Sequence, residues 1–254
     1  MNKKRILLTN DDGVFSEGIQ ALINVFKGSV DLTVVAPDRE RSAIGHSLTF
    51  FYPLRVQKLE ESKNLKIYSS DGTPSDCVLL GIYDLMPEAP DLIISGINHG
   101  PNMGQDITYS GTVSAAMEGT IHKIPSVSVS LASFINMNFT YAAKFVKKLS
   151  DCAIEKDLPA LSFFNVNIPN LPEDEIKGSA FTKQGRSIYD QKLIKRMDPR
   201  GIEYYWLSGE FPTGLIEKGT DFEAVYKDKK ISITPVQLDM TNFDLLSRLK
   251  DRKL

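Results

Sequence analysis

The chain has 254 residues, 42% hydrophobic and 24% charged, enough for one sizeable core with an appended subdomain. Thirty lysines and arginines against 32 acidic residues leave a formal charge of −2, which removes the bulk electrostatic case for a nucleic-acid polymer or an anionic membrane as partner. No apolar run approaches the roughly 20 residues that span a bilayer. The stretch behind the basic start Lys3-Lys4-Arg5 is too short for a signal peptide, so the expected compartment is the cytoplasm. Cys77 and Cys152 lie far apart in helical patterns and read as reduced, buried thiols rather than a disulfide or a zinc site.

Residues 6–9 form a short apolar run with the character of a buried strand. Ile19, Leu22, Ile23 and Phe26 then recur at the spacing of one helix face, with Gly28 as a stop. Residues 32–36 (LTVVA), closed by Pro37, give the next strand, and the three segments predict a right-handed βαβ unit with parallel strands. Gly72-Thr73-Pro74-Ser75-Asp76 predicts a helix start. Thr73 caps, Pro74 suits the first helical position and Asp76 completes a capping box, after which Val78, Leu79, Ile82 and Leu85 face inward. A strand over 91–95, a small-residue-rich helix over 110–122 and a strand over 126–131 follow. Ala142, Phe145, Val146 and Leu149 mark a further helix, and 163–168 a further strand.

Repeated βα units with apolar strands predict an α/β fold built on a doubly wound, mostly parallel sheet. After Pro172 the texture changes: 204–207 (YYWL) and 230–234 (KISIT) read as strands between polar stretches, and a last helix is expected from 241 to about 250. Residues 1–180 read as the catalytic core. Residues 181–254 read as a β-rich extension with a C-terminal helix rather than an independent domain.

In an open parallel sheet, ligands sit at the carboxyl ends of strands near the switch in strand order. Three loops occupy such ends: Asn10-Asp11-Asp12-Gly13, Asp38-Arg39-Glu40-Arg41-Ser42, and the glycine-rich stretch 95–112 (SGINHGPNMGQDITYSGT). Adjacent carboxylates with Ser and Asn oxygens make a hard, all-oxygen environment that suits magnesium, manganese or calcium better than zinc or copper. Asp-Gly is equally a common turn dipeptide, and the local sequence leaves both readings open. In the third loop Gly96, Gly100, Gly104 and Gly111 let backbone N–H groups approach a ligand. Ser110-Gly111-Thr112 sits at a helix start, where anions bind, although a capped glycine-rich connection has the same composition. Beside a carboxylate pair at a neighbouring strand end, the combination reads as a metal-plus-phosphate site.

Spacing removes several rivals. No G-x-G-x-x-G follows the first strand, no Gly-Lys-Ser/Thr follows any strand, and G-x-S-x-G is absent. Gly13 stands where a phosphatase with an aspartyl nucleophile needs its second Asp. His46, near the proposed metal loop, is a candidate for function or for a structural hydrogen bond. His99, inside the glycine-rich loop, is a candidate for substrate contact, and His122, at a helix end before Pro125, reads as a surface or capping residue. Arg39 and Arg41 read as solvated charges or phosphate attractors.

The segments ILLTNDDG, VVAPDRERSAIGHS, DGTPSDCVLLG, SGINHGPNMGQDITYSGTVSAAMEG, NVNIPN and ITPVQLDMT together resemble the SurE family, stationary-phase survival proteins that are metal-dependent 5′-nucleotidases. DPRGIEYYW and GTDFEAV extend the resemblance into the β-rich part, so that it runs over residues 6–241. It implies a Rossmann-like core and one divalent ion per subunit, Mg2+ or Mn2+, on Asp11, Asp12, Ser42 and Asn98. It also implies phosphate binding at Ser110, Gly111 and Thr112 with Asn10 in support, and a homodimer or homotetramer formed through the carboxyl-terminal part. Asp11, Asp12 and Asn98 become the catalytic candidates, with Asp12 placed to take a proton from water. The implied reaction is hydrolysis of a nucleoside 5′-monophosphate to nucleoside and phosphate by metal-activated water. A broader phosphatase acting on 3′-nucleotides or short polyphosphate, and a non-catalytic nucleotide-binding regulator, are the alternatives. Two positions depart from the family pattern: Ala43 where glycine usually follows the serine, and Gln105 where an acidic residue is common. Both are expected to alter loop geometry or substrate preference.

Overall fold

Strand β1 (Arg5–Thr9), helix α1 (Glu17–Phe26) and strand β2 (Asp31–Pro37) form the expected unit, with β1 and β2 parallel from Arg5 opposite Asp31. The structure, a computed structural model, describes residues 3–152, 158–209, 213–250 and 252; Met1 and Asn2, which open the basic start, lie outside them. Ile19, Leu22, Ile23 and Phe26 are buried, and the chain leaves α1 through Gly28 at φ +83°, a left-handed conformation that glycine adopts without a Cβ clash. The hairpin β3 (Val56–Ser62) and β4 (Leu65–Ser70) follows, and every residue of β3 is exposed, so no apolar alternation marks it in the sequence.

Helix α2 (Pro74–Leu80) starts on the predicted capping box: Thr73 Oγ1 accepts from the Asp76 N–H and Asp76 accepts from the Thr73 N–H. Its inward face differs in one position from the expectation. Cys77, Val78, Leu80, Ile82 and Leu85 pack together, while Leu79 stays outside that cluster. Gly81, which follows α2, lies directly on Leu7, where a Cβ would sit 2.7 Å from a leucine methyl. The remaining core elements are β5 (Leu92–His99), α3 (Gly111–Ile121), β6 (Ser126–Leu131), α4 (Phe139–Asp151) and β7 (Ser162–Ile168). Strand β5 runs four residues past the expected end at Ser95, with an irregularity between Ser95 and Asn98 before it pairs Asn98 with Ser130. Cys77 is buried, which pushes its thiol up, but Cys152 at the end of α4 is exposed rather than buried.

In the extension, β10 (Gln191–Met197) and β11 (Glu203–Gly209) make an antiparallel hairpin, preceded by β8 (Ser179–Phe181) and β9 (Ser187–Ile188). Strand β9 pairs with β12 (Thr213–Gly214). The last strand, β13 (Ile231–Gln237), returns to the core and pairs antiparallel with β7, and α5 (Phe243–Leu249) ends the chain's regular structure. The main sheet has nine strands in the order β3-β4-β2-β1-β5-β6-β7-β13-β8, with β4 through β7 all parallel. Helices α1 and α4 pack together on one face, α2 and α3 on the other. The sequence moves outward from β1 to β2 and β4, then restarts on the opposite side with β5. The switch point therefore lies between β1 and β5, a Rossmann-like arrangement that directs a ligand to their carboxyl ends. No helix among the described residues is long and apolar enough to cross a membrane.

Candidate active site

The backbone leaves β1 at Thr9, and Asn10, Asp11 and Asp12 turn across the sheet's carboxyl edge. Asn10 is fully buried. Its amide nitrogen donates to the Gly13 carbonyl at 2.9 Å and to Ser16 Oγ at 2.8 Å, fixing the turn, while its buried Oδ1 has no hydrogen-bond partner among the described residues. Asp11 is also buried, and Thr112 donates to it twice, through its N–H at 3.1 Å and through its hydroxyl. The helix start thus points its first donors at a carboxylate of the protein, and Thr112 is fully buried behind Asp11. Gly111 fits only because it lacks a side chain, since a Cβ would stand 2.8 Å from Asp11 Cβ. Ser110 caps α3, its hydroxyl accepting from the Val113 N–H, and lines the cavity in front.

Asp12 accepts from the His99 N–H at 3.2 Å, and His99 Nδ1 stands 3.7 Å from its other oxygen. Burial pushes the Asp12 carboxyl up to about 7, with the charge of Asp11 adding to it and Glu40 contributing last. Burial raises Asp11 as well, against the hydrogen bonds from Thr112. Among the described residues neither carboxyl group has a lysine or arginine partner, and Asp11 of this crowded pair lines the cavity. Asn98, delivered by the extra length of β5, donates its amide nitrogen to the Gly100 carbonyl at 2.8 Å, which leaves the amide oxygen turned toward Thr112. Ser42 lies on the opposite lip, its exposed hydroxyl donating to Glu40 at 2.7 Å. The donors are all hard oxygens with excess negative charge, the chemistry of a divalent-cation site. Asp11, Ser42, Asn98, His99 and Ser110 line one cavity of about 470 Å³.

The histidines divide. His99 lines that cavity, its ring packed on Phe139 and its buried Nε2 without a hydrogen-bond partner among the described residues. His46 turns away from it and pairs with Glu118 at 2.6 Å. His122 caps α3, pairing with Glu118 at 3.0 Å and with the Tyr83 hydroxyl at 3.0 Å. Glu118 has no motif of its own in the sequence, yet it ties the Ser42 loop to α3 through His46. Burial alone would raise its pKa, but the two imidazoles outweigh it and hold the carboxyl below its usual value. A depressed folded-state pKa contributes stability above the unfolded value, near 4.5, and loses it as pH falls through the folded one. Glu118→Gln is therefore expected to flatten the acid limb of the stability curve below that value, measured by urea midpoints across pH. Arg41 donates its N–H to the Asp11 carbonyl at 2.7 Å and its guanidinium to the Asp71 carbonyl, while Arg39 stays exposed beside Asp38.

A polar lattice below the glycine-rich loop was not legible from the sequence. Asn102 is gripped at its N–H by Asn167 and at its carbonyl by Asn165 and Asn167, at 2.8–2.9 Å. Its own amide nitrogen donates to Ser130. The segment NVNIPN supplies two of these side chains, and β7 places them on one face by its period of two.

These features define an α/β protein that gathers carboxylates and a helix start at the switch point of a parallel sheet. The family model described as Survival protein SurE matches residues 6–191. A curated relative named 5′-nucleotidase SurE, from Geobacter sulfurreducens, is 48% identical over 96% of this chain and 92% of its own length. Another of the same name, from Heliobacterium modesticaldum, is 45% identical over 97% of this chain and 91% of its own length. The crystal structure of the SurE protein from Aquifex aeolicus superposes with a TM-score of 0.82 at 42% identity, covering 97% of this chain and 98% of that one. The chain belongs to the SurE family.

Proposed function

We propose that this protein hydrolyses nucleoside 5′-monophosphates to nucleoside and inorganic phosphate. The observation that carries the reading is the Asp11–Asp12 pair, two crowded carboxyl groups at the switch point with no lysine or arginine partner among the described residues, beside the Ser110 helix start that lines one cavity with Asp11. The shared name of the relatives supports the nucleotide as substrate. Asp11, Asp12, Ser42 and Asn98 would hold one divalent ion per subunit, Mg2+ or Mn2+. When bound, that ion supplies a Lewis acid for a phosphoryl oxygen and acidifies water.

The chain's own residues do the rest. Thr112 locks Asp11, and the His99 N–H locks one Asp12 oxygen, leaving the other to take the proton of the attacking water. Ser110 and the positive end of α3 offset charge on the phosphoryl oxygens. The protein is read as cytoplasmic and as a homodimer or homotetramer. Exposed apolar side chains on the β10–β11 hairpin and on α5, among them Leu193, Trp206, Phe243 and Leu246, support assembly.

The test is phosphate release from 5′- and 3′-nucleotides and short polyphosphate with Mg2+ or Mn2+, then with chelator. Release from a 5′-monophosphate that chelator abolishes is the expected result. No chelator-sensitive release from any monophosphate would overturn the reading in favour of a nucleotide-binding regulator.

A further inference from the structure

Beyond Ser110 the cavity opens between side chains from two parts of the chain. Tyr109 and Phe134 come from the core loops before α3 and after β6; Tyr189 and Leu207 come from the extension. The extension's side is firmly fastened to the glycine-rich loop. The Gln105 side chain accepts from the Ser187 N–H at 2.8 Å and donates to the Gly185 carbonyl at 3.4 Å. Gln184 donates to the Gly104 carbonyl at 2.7 Å. Buried Asp221 accepts from the N–H groups of Gly104 and Gly185 at 3.0 and 2.9 Å. The Tyr189 hydroxyl donates to Asp106 at 2.7 Å, which fixes the ring at the cavity's rim.

We infer that Tyr189 and Leu207, which line the cavity with Tyr109 and Phe134, bind the nucleoside part of the substrate, and that Gln105 is the positioning residue that sets this wall. The inference rests on the phosphatase reading and names what lies beyond the phosphate. One cavity is lined both by Asp11, Asn98 and Ser110 and by an aromatic and aliphatic wall, which suits an occupant with a charged part and a flat, apolar part. Aromatic faces hold a base by stacking without reading its edge. Asp106, the acidic group at this end, is already engaged by Tyr189. Gln105 is suited to its task because an amide offers both an acceptor and a donor. A carboxylate at that position keeps the bond from Ser187 but sets a negative oxygen against the Gly185 carbonyl.

The experiment compares kcat/KM for a nucleoside 5′-monophosphate with that for glycerol phosphate, which shares the phosphoester and lacks the base, in the full-length metal-loaded protein. Tyr189→Ala and Leu207→Ser are each expected to lower the nucleotide-over-glycerol-phosphate ratio about tenfold. Gln105→Glu is expected to lower it about threefold, through the nucleotide KM rather than kcat. Leu207 is largely exposed and takes no part in the fastening hydrogen bonds, so Leu207→Ser tests the contact without loosening the extension. A ratio within about twofold of the parent in both contact variants overturns the assignment of this wall. A Gln105→Glu loss that falls on kcat for both substrates alike overturns the positioning role. Release of phosphate from neither substrate by the parent protein overturns the phosphatase reading instead.

Discussion

Replacing Asp11 by asparagine is expected to lower kcat/KM for a nucleoside 5′-monophosphate by at least roughly a hundredfold while the protein still folds. Asparagine retains one acceptor oxygen for Thr112, whose N–H and hydroxyl both bond the carboxylate in the parent chain. It also removes one of two crowded charges from a buried position, relieving the repulsion that helps hold Asp12 up to about 7. The metal-free variant should therefore melt no lower than the parent. What it should lose is the rise in melting temperature on adding Mg2+ or Mn2+, because a ligand stabilises only in proportion to its affinity for the native state. Near-parental turnover, or an undiminished metal-induced rise, would remove Asp11 from the cation site.

Gly111→Ala is expected to separate activity from stability in a different way. Alanine at a helix's first turn gains up to about 1 kcal/mol in intrinsic propensity over glycine. Here the added Cβ would lie 2.8 Å from Asp11 Cβ, 2.9 Å from Asp11 Oδ2 and 3.1 Å from the Pro74 ring. Neither the ring nor an aspartate Cβ can swing aside as a long side chain tip does. The first turn of α3 must move away from the Asn10–Asp12 turn, at an overpacking cost of about 1–3 kcal/mol that offsets the propensity gain. A displacement of this kind at a reacting group is worth about a hundredfold in rate. The expected signature is a loss of that order in kcat/KM with a denaturant midpoint equal to or modestly below the parent's. A folded Gly111→Ala protein with full activity would show that the contact between α3 and Asp11 does not set the geometry.

The parts of the molecule that could be read in the sequence are those dictated by periodicity and by parallel topology. One helix face at the spacing of Ile19, Leu22, Ile23 and Phe26, and strands too apolar for a half-solvated sheet, fix βα units; the carboxyl ends of those strands then have to converge. Topology thereby brings the loops 10–13, 38–42 and 95–112 to one edge, and the resemblance to the SurE family is what singles out Asp11, Asp12, Ser42 and Asn98 within them. What periodicity does not carry is which way a side chain turns once it arrives. Thr112 points behind Asp11 rather than into the cavity, and His46 reaches Glu118 rather than the cation loop. Strand β5 continues through glycine to His99, where composition alone indicates a loop. Exposed β3 has no alternation to detect, and the Asn102 lattice joins residues more than sixty positions apart. Such contacts are decided by the packed sheet and have no local signature.

The return of β13 to the main sheet also bears on how the protein is made. Seen from the ribosome, the strand that covers the edge of β7 emerges more than sixty residues after it, once the whole hairpin segment has been synthesised. Until then β7 is an open edge carrying Phe163, Phe164, Val166 and Ile168, all buried in the finished protein, and an uncovered apolar edge is a template for another chain. The sheet that holds the carboxylates and the segment that walls the cavity thus reach their final form together, late in folding. A nascent or truncated chain ending before β13 would expose its own aggregation site before the sheet around the cavity was complete.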